Sequence, residues 1–353
     1  MRVLITGGAG FIGSHLAEAL LDAGHVVTVL DDLSTGQFEN IQHLESHRRF
    51  TWVLGSVTDD RLVSTLINQA DVVFHLAAAV GVRLVVEAPI RTIETNVNGT
   101  ETVLRHAHKR RALVVVASTS EVYGKGVRLP FREDADLVLG PPDKCRWGYA
   151  ASKLIDEFLA MAYWKEHRQP AIVVRFFNTV GPRQSSRYGM VLPNFVRQAL
   201  ANDTITIHGD GSQTRSFTWV GDVVSALTSL MNEPRALGQV FNIGNDHEVS
   251  IQQLADLVKA RVGSTSDVRF VPYATVFDAQ FEDMPRRVPD ISKIRQLTGF
   301  KPRVQLAEII TRTAAYWQQR RDVNPANAPA STLVSVRARV NARLAAAMSG
   351  AAL

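Results

Sequence analysis

Two stretches of the chain carry residue types that do chemistry: Ser118-Thr119-Ser120-Glu121-Val122-Tyr123-Gly124 and Tyr149-Ala150-Ala151-Ser152-Lys153. The second places a phenol four residues before an ammonium. If Tyr149 opens a helix, Lys153 lies one turn along on the same face. A phenol ionises near pH 10, so to act as a base near neutrality its pKa must fall by about 3, roughly 4 kcal/mol of differential stabilisation. A cation close by in a dry cleft supplies part of that. Thr119 then offers a hydroxyl to the oxygen that loses its proton. The same spacing also describes a solvated lysine beside a half-buried tyrosine, so the elements around it have to decide.

Those elements begin at the N-terminus. Val3 to Ile5 reads as a short buried parallel strand and runs into Gly7, Gly10 and Gly13, three residues apart. The first glycine permits a tight turn, the second a close approach of main chain to ligand, and the third the packing of the next helix on the sheet. Ile12, Leu16, Ala19 and Leu20 recur at helical spacing. The free N–H groups of that helix favour an anion such as a pyrophosphate. A second strand, Val26 to Leu30, ends in Asp31, whose carboxylate accepts hydrogen bonds from a ribose diol and repels a 2′-phosphate. The pattern predicts a dinucleotide site that takes NAD rather than NADP. A positive nicotinamide beside Tyr149 would be the second cation acting on the phenol.

Composition excludes several classes. Hydrophobic residues at 46% with 21% charged residues suit a globular enzyme and exclude general disorder. At 353 residues, two or three domains are expected. The one cysteine, Cys145, rules out an internal disulfide, offers no metal cluster and fits a reducing cytoplasm. The longest apolar runs fall short of the roughly 18–20 residues of a membrane span, and strand one leaves no room for a signal peptide. The net charge of +5 is scattered apart from His108-Lys109-Arg110-Arg111 at a helix end, so it argues for a phosphorylated small ligand over nucleic acid.

Strands and helices alternate along the chain. Asp71 to Ala78 ends in small residues, as a strand tip does where it meets a cofactor, which places Ala77 and Ala78 at the site. A helix holding Asn96, the strand Leu113 to Ala117 and the strand Ile172 to Phe177 follow. The rhythm predicts an α/β fold, a Rossmann-like doubly wound parallel sheet. After Gly181-Pro182-Arg183 the elements shorten. Val220 to Met231 and Gln239 to Ile243 return to the sheet. The expected organisation is a nucleotide-binding domain of 1–178 plus about 216–245, and a smaller, discontinuous α/β substrate domain of 179–215 plus 246–318. From 320 to 353 a proline-bearing linker leads to a basic, weakly amphipathic tail.

Taken together, GGAGFIG at 7–13, Asp31, HLAA at 75–78, Asn96, STSEVYG at 118–124, YAASK at 149–153, RFFNTVGPR at 175–183, GDGSQTRSFTWVGDVV at 209–224 and RRVPDISK at 286–293 resemble the extended short-chain dehydrogenase/reductase family, in its nucleotide-sugar epimerase/dehydratase branch. The resemblance covers residues 1–318. It implies oxidation of a sugar carbon, usually C4, to a ketone, with Tyr149 as base, Lys153 its partner and Thr119 the hydroxyl donor. It places Gly7, Gly10, Phe11, Ile12, Gly13, Asp31, Leu76, Asn96 and Phe177 around NAD. Asn178, Arg215 and Arg287 would hold the nucleoside diphosphate, whose phosphates match guanidinium forks. His208 falls where a member of the family stacks on the base, or is a surface-loop histidine.

Departures from the family pattern matter as much. Gly55-Ser56-Val57 stands where the family often has Asp-Ile or Asp-Val to hold adenine, leaving Ser56 as a weaker partner beside Val57. Thr119-Ser120-Glu121 replaces the Thr-Asp-Glu of the sugar 4,6-dehydratases, which disfavours dehydration. Glu121 with Arg286-Arg287 resembles UDP-glucuronate decarboxylases, in which a glutamate and an arginine assist loss of CO2. Simple 4-epimerases need only the triad and room for the keto sugar to turn. The uronate 4-epimerases usually carry Arg-Pro-Asp-Met after the Gly-Pro turn, where this chain has Gln184-Ser185-Ser186-Arg187; Arg183 or Arg187 would then meet a carboxylate. The first reading is a UDP-hexose or UDP-uronate 4-epimerase, the alternative a UDP-glucuronate decarboxylase, and the remote one a non-catalytic NAD sensor. The resemblance also implies a homodimer formed through the helices around Asn96–Ala107 and Tyr149–Trp164, where Leu154, Phe158 and Met161 supply apolar surface.

Overall fold

Runs such as Leu-Val-Val-Val-Ala-Ser-Thr and Ala-Ile-Val-Val-Arg-Phe are apolar without alternation, which suits strands covered on both faces. In the computed structural model, which describes residues 1–81, 85, 87–186, 190–276, 282 and 284–323, they are neighbouring interior strands of a seven-stranded parallel sheet. From edge to edge its strands are Gln239–Ile243, Ala171–Phe176, Leu113–Thr119, Val72–His75, Arg2–Thr6, Val26–Asp31 and Phe50–Leu54. The chain winds outward from Arg2–Thr6 in one direction and then returns beside it to wind the other way. The order therefore reverses between Thr6 and His75, which are paired in register. A crevice opens there at the carboxyl ends of the strands.

One apolar layer holds the helices Phe11–Asp22 and Val220–Met231 against the sheet, the other Asp60–Ile67, Pro89–Arg110 and Cys145–His167. A separate core, with Leu192, Phe195, Ile205, Leu254, Val258 and Ile310 buried in it, joins the helices Val191–Ala201, Ile251–Val262 and Leu306–Val323. Its short strands Ile205–His208 and Val268–Val271 pair in parallel.

Three boundaries differ from the sequence reading. The Tyr149 helix starts at Cys145, four residues earlier than expected, because Lys144 and not Gly148 is its cap; Tyr149 and Lys153 keep their common face. The 246–318 segment is interrupted, since Ile291, Ile294 and Phe300 pack into the first domain's core. There Lys293 donates to the Val240 carbonyl at 2.8 Å and lies over the Phe241 ring. Finally, the last helix runs to Val323 and not into a linker from 320; Arg320 reaches Gln37 Oε1 at 3.4 Å and covers the Tyr316 ring. Residues 324–353, and with them most of the expected tail, lie outside the described residues.

Candidate active site

A cavity of about 530 Å³ occupies the crevice between the two cores. Its floor is the glycine loop. Gly7 has φ +73°, and a Cβ there would stand 2.7 Å from the Ala77 amide nitrogen; one on Gly13 would stand 2.4 Å from the Gly7 carbonyl. The helix Phe11–Asp22 opens at Gly10 with no side-chain cap and no acidic residue in its first turn, so its amides are left for an anion. Asp31 is 7% exposed and on the cavity wall. Its carboxylate accepts from the Ala9 amide at 2.9 Å and the Leu33 amide at 2.8 Å. Burial pushes its pKa up to about 6, against the pull of those amides. Phe11, Ile12, Val57, Leu76, Ala77 and Ala78 line the same half. A glycine cradle, an open helix N-terminus and a carboxylate beyond it fit a dinucleotide.

Three residues expected there stand elsewhere. The Ser56 hydroxyl turns to Thr58 Oγ1 at 2.8 Å, away from the cavity wall. Asn96 is buried behind the wall; its Oδ1 accepts from the Ala79 amide at 2.8 Å and its Nδ2 donates to Ser152 at 3.1 Å, so it fixes the loop and does not line the cavity. Phe177 is fully buried against Tyr123, and Phe176 takes the wall position, because successive side chains at a strand end point to opposite faces.

The other half gathers the hydroxyl, phenol and charged groups. Strand Leu113–Thr119 ends at Thr119, and the tight turn Ser120–Tyr123 brings Glu121 back into the cavity, its amide bonded to Thr119 Oγ1 at 3.2 Å. The Tyr149 phenol meets the Thr119 hydroxyl. Lys153, on the wall below, is 2% exposed and donates to Asp156 Oδ2 at 2.5 Å. The sequence leads one to expect a depressed phenol pKa. Instead burial holds Tyr149 above the ordinary tyrosine range, and the Glu121 and Asp156 carboxylates add to the rise. The Thr119 hydroxyl and the Arg287 guanidinium pull the other way, more weakly. The physical reason is first the burial of the phenol, and beside it Asp156, which offsets the Lys153 ammonium that the sequence sets against the phenol.

Glu121 sits between two guanidinium groups, with Arg146 Nη2 at 3.5 Å and Arg287 Nη1 at 3.3 Å from the same Oε1. Arg287 Nη2 also donates to Asn178 Oδ1 at 3.2 Å. Arg146 is the residue sequence reasoning missed, although its place three residues before Tyr149 on one helix was a readable signal. Arg286, named with Arg287 from the sequence, faces out to Glu248 and is not at the site. Arg215 and His208 line the opposite wall, where burial lowers the His208 pKa. Arg183 lines the cavity too, with Nη2 on Glu18 Oε1. Arg187 lies outside the described residues.

Behind the turn, Glu157 takes Arg175 Nε and Nη2 at 2.9 and 2.7 Å and accepts from the Ser118 hydroxyl. Arg175 Nη1 passes on to Tyr123 Oη, which donates to Asn242, both at 2.8 Å. Such a pair costs about 3–5 kcal/mol to break from one side, which locks the Thr119–Glu121 turn against the Tyr149 helix.

A doubly wound parallel sheet with a glycine cradle, and a Thr–Tyr–Lys set at its carboxyl edge, defines an extended short-chain dehydrogenase/reductase. The sequence profile of GDP-mannose 4,6 dehydratase matches residues 4–313, and the chain belongs to that family. It is 41% identical over 319 residues to a UDP-N-acetyl-alpha-D-glucosaminuronate decarboxylase of Bacillus cytotoxicus, covering 90% of this chain and 98% of that protein. With UDP-glucuronic acid decarboxylase 1 of Danio rerio it shares 38% over 320 residues, 90% of this chain and 73% of the relative. Among solved structures, the UDP-glucuronic acid 4-epimerase of Bacillus cereus, in complex with UDP-glucuronic acid and NAD, superposes with a TM-score of 0.82 at 29% identity, covering 90% of this chain and 99% of the other.

Proposed function

We propose that this chain is an NAD-dependent decarboxylase of a UDP-linked uronic acid. The observation that carries the reading is Glu121 held between Arg146 and Arg287 beside Tyr149. The decarboxylase names of relatives at 41% and 38% identity support it. This reverses the order of the sequence reading, which put 4-epimerisation first because that reaction demands fewest residues.

Held by the glycine cradle, the open helix N-terminus and Asp31, NAD would supply reversible hydride acceptance at C4. Tyr149 accepts the C4 hydroxyl proton, and Thr119 holds that oxygen through its hydroxyl. With C4 a ketone, the carboxylate on C5 belongs to a β-keto acid. The bond to CO2 breaks with its electron pair moving toward the C4 oxygen, where the Thr119 and Tyr149 hydroxyls stabilise the charge. The two guanidinium groups hold the uronate before CO2 leaves, and as the uronate takes them over from Glu121, that carboxylate takes up a proton from solvent and delivers it to C5. Asn178, Arg215 and Arg287 flank the path of the nucleoside diphosphate, with His208 farther along the wall. The 4-epimerase reading is kept by the likeness to the Bacillus cereus epimerase. Incubation with UDP-glucuronate and UDP-N-acetylglucosaminuronate separates them. Loss of the mass of CO2 is expected; a new product of unchanged mass would establish epimerisation.

Asp31 gives a test of the cofactor. Its pKa of about 6 lies above the usual carboxylate range, so ionisation costs the folded protein free energy that grows as pH rises through about 6. Ribose hydroxyls that donate to the carboxylate relieve that cost. NAD affinity, measured by calorimetry, is therefore expected to weaken as pH falls through about 6. NADP in the extract of denatured protein, or an affinity flat across that range, would overturn the role of Asp31.

We also propose that a second copy covers the outer face of the helices Pro89–Arg110 and Cys145–His167. Ile90 and Phe158 stand there 73% and 68% exposed, with Ile93 and Ile155 beside them. Leu154 and Met161, offered from the sequence for this face, pack partly inward instead. Phe158→Glu is expected to convert dimer to monomer in sedimentation, with the melting profile otherwise kept. Among the described residues, no helix is long and apolar enough to cross a membrane.

A further inference from the structure

We propose that Asp156 is a positioning residue for the proton transfer: it fixes the Lys153 ammonium through a buried hydrogen bond and, by balancing that charge, sets the pH at which Tyr149 gives up its proton. The inference rests on Tyr149 being the base.

Asp156 lies three residues beyond Lys153 on the helix Cys145–His167 and is fully buried, and Oδ2 accepts from Lys153 Nζ at 2.5 Å. It is not an isolated pair. The Thr100 hydroxyl, from the neighbouring helix, lies beside the same carboxylate and favours its charged form. Thr100 Oγ1 is 3.0 Å from His75 Nε2, and His75 Nδ1 is 2.8 Å from Thr6 Oγ1. Thr6 Oγ1 in turn accepts from the Ala77 amide at the cavity wall, at 3.3 Å. One set of directions is consistent: Thr6 donates to Nδ1, Nε2–H donates to Thr100, and the Thr100 hydroxyl is left to turn toward Asp156, whose Oδ1 has no other hydrogen-bond partner among the described residues. That order requires a neutral His75, and burial with the nearby Lys153 charge pushes its pKa down to about 3. This row of polar groups runs from the sheet to the side of Asp156, whose other oxygen holds Lys153.

The charges that face Tyr149 come from three elements. Glu121 approaches from the turn Ser120–Tyr123 and Arg287 from the strand Arg286–Arg287, while Lys153 and Asp156 share its own helix. Arg146 and Arg287 meet Glu121 directly. Glu157 faces Asp156 on the helix, but Arg175 takes up its charge. Glu121 and Asp156 are thus the two anions that oppose ionisation of the phenol, and Asp156 alone acts through Lys153.

The test follows the phenolate itself, by near-ultraviolet absorbance against pH, each protein being compared with its own Tyr149→Phe counterpart to isolate the one tyrosine. In Asp156→Asn the Tyr149 phenolate is expected at a pH lower by about one unit or more, a tenfold or greater change in proton affinity. The acid limb of kcat/KM should move the same way. Asp156→Glu keeps the charge and should keep the parent limb. Asp156→Ser, which admits water beside Lys153, is the second neutral variant and should repeat the shift. An unmoved or raised phenolate titration in a folded neutral variant would overturn the proposal. So would failure of both neutral variants to fold while Asp156→Glu folds, since Asp156 would then be structural. Because the absorbance needs no turnover, a wrong assignment of the reaction would leave this result standing.

Discussion

Tyr149→Phe is expected to lower kcat by at least about a hundredfold while substrate affinity stays within a few-fold. The ring fills the same space, so the cavity wall and the arginines that would hold the nucleotide are untouched. What is lost is the oxygen that meets Thr119 and, in the proposed mechanism, takes the C4 hydroxyl proton. The Thr119 hydroxyl loses one hydrogen bond, about 1 kcal/mol, so the melting temperature should change little. Substrate binding by calorimetry beside single-turnover kinetics checks both halves. Activity above roughly a hundredth of the parent would make Tyr149 a positioning group rather than the base.

Glu121→Gln divides the reaction at its middle. The amide matches the carboxylate in shape but cannot give a proton to C5, and it ends the ion pairs with Arg146 and Arg287. Oxidation at C4 does not need that proton. The variant is therefore expected to bind a UDP-uronate, to build up the absorbance of reduced nicotinamide, and to release CO2 at least about a hundredfold more slowly. Trapped CO2 and nicotinamide absorbance, followed in one mixture, give the answer. Undiminished CO2 release would remove Glu121 from the chemistry. A variant unable to reduce the cofactor would assign Glu121 to the first step, and a modest slowing toward a product of unchanged mass would favour the epimerase.

The dinucleotide half was legible in the sequence because its determinants are local. Gly7, Gly10 and Gly13 are demanded by a strand–turn–helix whose backbone passes within contact distance of itself, and that demand is written in consecutive residues. Asp31 ends the next strand, and the pairing of that strand with the first is nearly forced by the short connection. Tyr149 and Lys153 stayed on one face although the helix began earlier than expected, because a four-residue spacing survives a shift of the helix start.

Tertiary structure decided what sits opposite those residues. Strand Arg286–Arg287 pairs beside Thr214–Arg215, which turns Arg287 toward Glu121 and sends Arg286 out to Glu248. Two adjacent arginines are equivalent in sequence; only the strand's register gives them different faces. Phe176 and Phe177 were separated in the same way, and Ser56 and Asn96 found local partners that no motif encodes. The electrostatics were the least legible part. The sequence shows a phenol beside an ammonium, but Asp156 cancels that ammonium and burial governs the phenol. Desolvation depends on everything that surrounds a group at once, and that is set only by the tertiary structure.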